Sequence, residues 1–296
     1  MNRVFFFFAG LLLVYCSKGE SKDYEKDSDA CQFNPEAESI IHDGKNREYL
    51  LYLPDSYDGS SPIPLLFNFH GFGARASDHI LYADMRSVAD SAPFILVYPQ
   101  GSCLDGATHW NTCPIGGDNK SNADDFGFFE TLLEEIASKY NIAMDRVYAV
   151  GYSNGGMMAY GLANYKSDLI AAVASVSGVM LDCIGSTQHP MPVVHFHGTS
   201  DYVIPYEGGV YGSVTYVLDH WKKFNQTTPN PIVNSESDRG MTIEHHIYNQ
   251  GDRGVSVEHY KYEGGEHVWF SATYQGQNTA TLIWNFLSRY DIDGLR

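Results

Sequence analysis

Short apolar runs typical of buried β-strands alternate along the chain with longer segments whose apolar residues recur at helical spacing. The predicted strands are 47–53, 64–69, 94–98, 146–150, 171–176, 193–196 and 257–262. The predicted helices are 77–92, 126–140, 155–165, 214–225 and 279–290. Because strands that alternate with helices build a mostly parallel central sheet with helices on both faces, the expected fold class is α/β.

Two stretches interrupt this alternation. Residues 101–124 are rich in Gly and Asn and show no periodicity, and a long loop inside a compact domain is usually functional. Residues 226–256 are similarly polar, with a candidate antiparallel excursion of the sheet at 241–248.

The amino-terminal residues have the pattern of an export signal. Arg3 precedes an apolar run at 4–15, which is too short for a membrane span of about 20 apolar residues. Cys16 closes the run as the candidate lipid-modified residue of a lipoprotein, although Tyr15 stands where a small residue is usual; plain signal cleavage is the alternative. We therefore predict a signal peptide at 1–16, a flexible polar lead-in at 17–36 and a folded domain at 37–296.

Composition narrows the possible partners. The 296 residues, 44% of them hydrophobic, can bury the core of one large α/β domain. A formal net charge of −17 would repel phosphate backbones and anionic headgroups, so nucleic acid is not expected, and a lipid on Cys16 is the only expected link to a membrane. The sequence contains no G-x-G-x-x-G dinucleotide fingerprint and no phosphate-binding P-loop, so no cofactor is predicted.

The remaining cysteines predict two structural disulfide bonds, since an even number follows the export signal: Cys31, Cys103, Cys113 and Cys183. The sequence permits three pairings. We favour Cys103–Cys113, because their short interval encloses Trp110, and hence Cys31–Cys183. A redox C-x-x-C motif is absent.

The segment Gly-Tyr-Ser-Asn-Gly at 151–155 lies directly between a predicted strand and a predicted helix. This is the context of a nucleophile elbow, in which flanking glycines let a tight turn hold the serine above the sheet edge. We predict that Ser153 is a catalytic nucleophile; a glycine-rich turn with a surface serine is the alternative.

A serine nucleophile needs a base and a group that orients the base. Asp201 and His267 each follow a predicted strand within a glycine-containing turn, at the sheet edge where ligands bind. They also follow Ser153 in the order serine, acid, histidine. Rival acids are Asp182, Asp124 and Asp125, the last two of which are better interpreted as helix caps.

The chain has twelve histidines, and some pairs raise the question of metal binding. His195 and His197 alternate on one predicted strand, but no third ligand accompanies them at a convincing spacing, and the pair His245-His246 is weaker still. We therefore predict buried, hydrogen-bonded histidines and no metal.

Acyl transfer also needs hydrogen-bond donors for an oxyanion. We predict the backbone N–H groups of Asn154, next to the nucleophile, and of Phe72, in the turn His70-Gly71-Phe72-Gly73 after a strand. Trp110 and Trp269 are candidate walls of a substrate pocket, with packing as the alternative for each.

Several motifs together are similar to those of one family. They are His70-Gly71-Phe72, Trp110-Asn111 with Cys113, Asp124-Asp125, the 151–156 elbow, His197-Gly198-Thr199 with Asp201 and Pro205-Tyr206, and Gly264-Gly265-Glu266-His267 with Trp269. From about Arg47 to the last helix, the chain resembles the secreted polyhydroxybutyrate depolymerase and feruloyl esterase family, which includes lipoprotein-like bacterial esterases.

The resemblance implies that 37–296 is an α/β-hydrolase catalytic domain with the triad Ser153, Asp201 and His267 and no metal. It implies a secreted protein, or a periplasmic or outer-membrane-anchored lipoprotein, that hydrolyses hydroxycinnamoyl or acetyl esters of plant polysaccharide; hydroxyalkanoate oligomers are the alternative substrate. Glu266 replaces a frequent glycine and Phe270 a common proline, which leaves acyl selectivity open.

Two other classes share some of these features. A serine aminopeptidase of the prolyl-oligopeptidase kind has the same elbow and aspartate turn, but generally carries a large amino-terminal domain that we do not expect here. A non-catalytic carbohydrate-binding protein on a hydrolase scaffold is disfavoured by the intact triad.

Overall fold

The structure is a computed structural model that describes Cys31 and residues 36–117 and 119–296. The predicted signal peptide at 1–16, Cys16, and all of the polar lead-in except Cys31 and Glu36 lie outside the described residues. Within the described part of the chain, no helix combines the length and apolar character needed to cross a membrane.

Ten strands form one sheet in the order β1-β2-β4-β3-β7-β8-β9-β12-β11-β10. Their bounds are β1 Glu38–His42, β2 Lys45–Tyr52, β3 Ile63–Phe69, β4 Ile95–Pro99, β7 Ile142–Tyr152, β8 Ala172–Val176, β9 Val193–Gly198, β10 Ile232–Asp238, β11 Met241–Tyr248 and β12 Val257–Tyr262. The six strands from β4 to β12 in this order are parallel, and the strands beyond them on both sides are antiparallel. The predicted mostly parallel sheet is therefore confirmed.

Helices cover both faces of this sheet, as predicted. They are α1 Ala76–Tyr82, α2 Arg86–Ser91, α3 Asp125–Lys139, α4 Asn154–Tyr165, α5 Val214–Asn225 and α6 Thr279–Leu287. Alternate residues of β3 enter different cores: Phe67 belongs to the core that includes residues of α3, α4 and α5, whereas Leu66 belongs to the core that includes residues of α1, α2 and α6. Both are fully buried, because successive side chains of a strand point to opposite faces.

The helix predicted at 77–92 is in fact two helices, which is a correction. The chain breaks between α1 and α2 at Asp84, whose carboxylate accepts a hydrogen bond from the backbone N–H of Arg86. An aspartate that bonds to the backbone two residues ahead competes with helical hydrogen bonding and starts a new helix instead.

The antiparallel excursion predicted at 241–248 is confirmed as β11, which pairs with β10 and β12. Sequence analysis missed the edge strands β1 and β10, whose side chains are mostly exposed and carry no strong apolar pattern. It also missed two small hairpins, β5 Ser102–Leu104 with β6 Ala107–His109 and β13 Tyr290–Asp291 with β14 Gly294–Leu295. The first of these hairpins lies inside the long segment 101–124.

The favoured disulfide pairing is wrong: the structure joins Cys31 to Cys103 and Cys113 to Cys183, with Cα atoms 6.1 and 5.7 Å apart. Cys103 lies on the exposed side of the β5–β6 hairpin, whereas the chain then runs inward to Cys113, which is 3% exposed. The two neighbours in sequence therefore reach different partners. Two bonds form, as predicted, but each closes a long loop.

Removing the Cys113–Cys183 bond with the double substitution Cys113→Ala and Cys183→Ala should lower the free energy of unfolding by about 4 kcal/mol, since the bond restricts a long loop in the unfolded chain. Denaturant unfolding measures this loss. The double substitution Cys31→Ala and Cys103→Ala is a matched control for the loss of loop-closure entropy in the unfolded chain, because the two bonds span 72 and 70 residues. Non-reducing peptide mapping that found Cys103 joined to Cys113 would contradict the pairing.

Candidate active site

Ser153 stands at the sharp turn between β7 and α4 with φ 54° and ψ −119°, a conformation that is strained for a residue with a side chain. A Cβ atom on Gly155 would collide with the carbonyl oxygen of Phe69, and one on Gly151 would collide with the backbone of Gly155. The glycines therefore let the helix begin close behind the serine. The predicted elbow context, a strand before Ser153 and a helix after it, is present.

Ser153, His267 and Asp201 form one hydrogen-bonded line. Nε2 of His267 is 2.9 Å from Oγ of Ser153, and Nδ1 of His267 is 2.7 Å from Oδ2 of Asp201. The parallel strands β9 and β12 pair Gly198 with Tyr262, so they end side by side and their following turns bring Asp201 and His267 together. The structure thus brings together all three residues of the predicted triad.

The Asp201 carboxylate is well supplied with donors. Its Oδ1 accepts from the backbone N–H groups of Val203 at 2.9 Å and Ile204 at 2.8 Å, and Nε2 of His197 is 3.2 Å from its Oδ2. Burial acts to raise the pKa of Asp201, but the contacts with His197, His267 and Ile204 outweigh it and hold this pKa well below the ordinary range. Asp201 therefore stays ionised and can stabilise a protonated His267.

Two hydroxyl groups hold the loop that carries His267. Tyr152 donates to the carbonyl oxygen of His267 at 2.8 Å, and Ser177 donates to that of Val268 at 3.1 Å. Sequence analysis missed both residues. Tyr152 immediately precedes Ser153, which was an available signal, but nothing near Ser177 in sequence indicated a contact with a loop 91 residues away.

The predicted oxyanion donors lie on two neighbouring elements. Asn154 is the first residue of α4, so its N–H has no acceptor within the helix. In the facing turn, the N–H groups of Gly73 and Ala74 bond to Thr108 and Gly71, whereas the structure gives no acceptor among the described residues for the N–H of Phe72. Both predicted donors are thus unengaged within the described chain, and their role in catalysis remains a proposal.

Trp110 does not line an open pocket, which corrects its predicted role as a wall. It is 1% exposed, and its ring packs edge-on against Phe69. Its indole N–H donates to the carbonyl oxygen of His70 at 3.0 Å, and its backbone N–H and C=O bond to the side chain of Asn154 at 2.8 and 3.1 Å. Trp110 therefore joins the turn that carries Phe72 to the start of α4.

The three residues that flank His267 in sequence and were singled out above differ in burial and in their contacts. Trp269 is half-buried and packs edge-on against His79. Its role as a pocket wall stays a prediction. Phe270 stacks on Tyr262 with ring centroids 3.7 Å apart and is a core residue. Glu266 is exposed.

The rival acids have other partners. Asp124 caps α3, because its Oδ1 accepts from the N–H of Gly127 at 3.0 Å. The sequence suggested that Asp125 is also a cap, which is wrong. Asp125 lies in the first turn of α3 and forms a buried ion pair with Arg47 at 2.7 Å. Asp182 is exposed.

The metal question concerns two places. The ring nitrogens of His195 and His197 all lie within hydrogen-bond distance of protein atoms, so this pair offers no free ligand atom. Among the described residues, one group, His42, Asp43 and Asp124, has ligand atoms within 4.8 Å of one another. Because Oδ1 of Asp124 already caps α3, we interpret this group as a helix cap beside His42, whose Nε2 lies 3.4 Å from Oδ2 of Asp124.

Four exposed apolar or aromatic side chains belong to the turns that carry the triad residues or face them. Phe72 lies in the facing turn, Tyr202 and Val203 follow Asp201, and Val268 follows His267; their exposures run from 42 to 77%.

A mostly parallel sheet with helices on both faces that presents a serine at a strand-to-helix turn defines the α/β-hydrolase fold. Within that class, the chain belongs to the putative esterase family, whose sequence profile matches residues 42–247.

Named relatives and solved structures agree with this class. The chain is 28% identical over 263 residues to a bifunctional acetylxylan esterase/xylanase of Neocallimastix patriciarum, which covers 85% of this chain and 34% of the relative. It is 28% identical over 190 residues to a probable feruloyl esterase C of Aspergillus niger, which covers 62% of this chain and 65% of the relative. The chain thus spans about a third of the length of the first relative and just under two thirds of the length of the second. An acetyl xylan esterase from Aspergillus awamori superposes with a TM-score of 0.65 at 14% identity, over 85% of this chain and 98% of that one, which is a likeness of fold.

Proposed function

We propose that the protein is a serine carboxylic ester hydrolase that works through an acyl-enzyme. The observation that carries this proposal is the line Ser153–His267–Asp201, with contacts of 2.9 and 2.7 Å at a strained serine. A serine with a purely structural role would not need this geometry, whereas a nucleophile needs a base and an orienting acid at these distances.

In the proposed mechanism, Nε2 of His267 takes the proton of Ser153 while Oγ attacks the carbonyl carbon of the ester. The N–H groups of Asn154 and Phe72 stabilise the oxyanion. His267 then gives its proton to the departing alkoxide, which leaves as the alcohol. Water, deprotonated by the same nitrogen, attacks the acyl-enzyme; the bond from the acyl carbon to Oγ breaks, His267 returns the proton to Oγ of Ser153, and the acid is released. Asp201 stays ionised throughout and holds His267 in the required tautomer.

The proposed substrates are hydroxycinnamoyl or acetyl esters of plant polysaccharide. Two observations support this choice: the names of the relatives refer to feruloyl and acetylxylan esterases, and exposed aromatic and aliphatic side chains, Phe72, Tyr202 and Val268, belong to the turns that carry or face the triad residues. An aromatic acyl group would pack against such side chains. A hydroxyalkanoate oligomer is the competing ester.

The experiment is hydrolysis of methyl ferulate, acetylated xylan and a hydroxybutyrate dimer by the protein, with the Ser153→Ala variant as blank. Turnover of the ferulate or the xylan supports the proposed substrates, and turnover of the dimer alone moves the natural substrate to polyesters. Absence of turnover with all three, together with no labelling of Ser153 by a fluorophosphonate, would refute the hydrolase. Cleavage of proline anilides instead of esters would favour an aminopeptidase.

The proposed place of action is outside the cytoplasm. Two disulfide bonds support it, because such bonds persist in oxidising compartments. Attachment to a membrane through Cys16 stays a prediction that mass spectrometry of the exported protein can test.

Trp110→Phe should lower kcat about tenfold with little change in KM, because the phenyl ring keeps the packing but loses the N–H that holds the Phe72 turn in place. Steady-state kinetics on a soluble ester measures this. Trp221→Phe is the matched control: Trp221 is also fully buried, but its indole nitrogen has no hydrogen-bond partner within the described chain. Equal kinetics of the two variants would contradict the role given to Trp110.

A further inference from the structure

A row of buried polar side chains leads from the core to Asp201. We call Tyr160, His195 and His197 the histidine chain; all three are 0% exposed. The hydroxyl of Tyr160 is 2.7 Å from Nδ1 of His195, and Nε2 of His195 is 3.1 Å from Nδ1 of His197. Nε2 of His197 in turn is 2.9 Å from the carbonyl oxygen of Ile204 and 3.2 Å from Oδ2 of Asp201.

The two oxygen atoms next to Nε2 of His197, from Ile204 and Asp201, determine which atom donates in each of these hydrogen bonds. A carbonyl oxygen and an ionised carboxylate can only accept, so Nε2 of His197 must carry a hydrogen. In the tautomer of His197 whose hydrogen lies on Nε2, Nδ1 is an acceptor, so His195 donates to it through Nε2, and Tyr160 donates to Nδ1 of His195. Burial and the neighbouring histidines His197 and His259 hold the pKa of His195 well below its usual value, which agrees with a neutral ring.

The N–H of His197 contacts the Asp201 carboxylate directly and also contacts the residue that donates to its other oxygen. It approaches Oδ2, the same oxygen that accepts from His267, and it bonds to the carbonyl of Ile204. The N–H of Ile204 donates to the other carboxylate oxygen, Oδ1. His197 therefore ties the carboxylate and the turn that wraps around it to the buried strand β9.

We propose that His197 is a positioning residue for the catalytic acid: its Nε2–H, directed by the histidine chain, fixes the orientation of the Asp201 carboxylate toward His267. The proposal rests on the proposed function, in which Asp201 orients the base. His197 itself does not touch the ester; it acts through Asp201.

Other titratable groups pack around this site. Tyr206 lies edge-on to His197 with ring centroids 5.9 Å apart and bonds to Nε2 of His259 at 2.9 Å. Tyr152 faces His267 at 5.2 Å. Burial raises the pKa of both tyrosines above its usual value and lowers that of His259 to about 3, so these three groups keep their neutral forms across the working pH range.

The test compares His197→Gln with His197→Asn, two neutral amides that differ in reach. A glutamine amide can place an N–H near the position of Nε2, whereas an asparagine amide extends only about as far as Nδ1. We expect His197→Gln to keep kcat within about threefold of the unmodified protein and His197→Asn to lower kcat about 10- to 100-fold at nearly constant KM.

The pH profile gives a second readout. In His197→Asn, the acid limb of kcat/KM should move to higher pH, because a carboxylate with one donor fewer stabilises the protonated form of His267 more strongly. His259→Asn is the matched control: His259 is 1% exposed and bonds to the backbone of His195, but it does not contact Asp201. We expect it to lower stability without moving the acid limb. Equal kcat for the Gln and Asn variants, or equal profiles for the two Asn variants, would overturn the proposal.

Nitrogen-15 NMR of the unmodified protein tests the assignment even if a variant does not fold. The expected spectrum has His195 and His197 protonated at Nε2; a His197 protonated only at Nδ1 would overturn the proposal. Failure of the proposed function is distinguishable, since it would appear as ester turnover retained by Ser153→Ala, whereas failure of the positioning role would leave that variant inactive and His197→Asn fully active.

Discussion

Replacing Ser153 with alanine should reduce ester turnover by about a millionfold, to the level that binding and the oxyanion donors alone sustain. The reason is that Oγ, 2.9 Å from Nε2 of His267, is the protein atom that forms the covalent bond to the acyl group in the proposed mechanism. The measurement is the initial rate on a p-nitrophenyl ester with the alanine variant purified separately from the active protein, so that carry-over does not set the limit.

Ser200→Ala is the control for Ser153→Ala, because Ser200 is exposed and precedes Asp201 by one residue. It should hydrolyse the ester at the rate of the unmodified protein and should still react with a fluorophosphonate. A Ser153→Ala protein that folds and retains more than about one thousandth of the activity would exclude Ser153 as the nucleophile. His267 would then need a different partner.

Replacing Asp201 with asparagine should lower kcat about 10⁴-fold while the protein still folds. An asparagine amide can donate to Nδ1 of His267, which favours the tautomer whose proton lies on Nε2 and removes the lone pair that must accept the serine proton. It also removes the negative charge that stabilises protonated His267. Steady-state kinetics measures the loss, and circular dichroism checks the fold.

The same variant makes a prediction about stability. The pKa of Asp201 is held below its usual range, so its ionised form stabilises the native state above the usual carboxyl pKa, and this contribution is lost as pH falls toward the lowered value. Asp201→Asn should therefore show a smaller decrease in unfolding free energy on acidification below about pH 4 than the unmodified protein. Asp182→Asn, which changes an exposed rival acid, should match the unmodified protein in activity.

Much of the candidate site could be predicted because its constraints are local. The glycines at 151 and 155 and the flanking strand and helix patterns are neighbours of Ser153 in sequence. Asp201 and His267 each follow a strand directly, and parallel strands end at one sheet edge. Tyr152 and Ser177, by contrast, act on the loop of His267 through contacts that span 115 and 91 residues.

The predicted fold succeeded where apolar runs are strong and failed where strands lie at an edge. The strand at 257–262 and the helix at 214–225 have the predicted bounds. Strands β1 and β10 are paired on one side and mostly exposed, so their sequences need little apolar patterning.

The amino-acid sequence by itself determined the α/β class, the elbow at Ser153 and the identity of its two partners, because backbone geometry at a tight turn and strand periodicity depend on adjacent residues. Only the tertiary structure decided that Cys103 and Cys113 bond to different partners and that Trp110 joins two turns instead of lining a pocket. Each of these depends on where a hairpin or strand packs against a distant segment, and burial and hydrogen-bond distance between distant segments are not encoded in any short stretch of sequence.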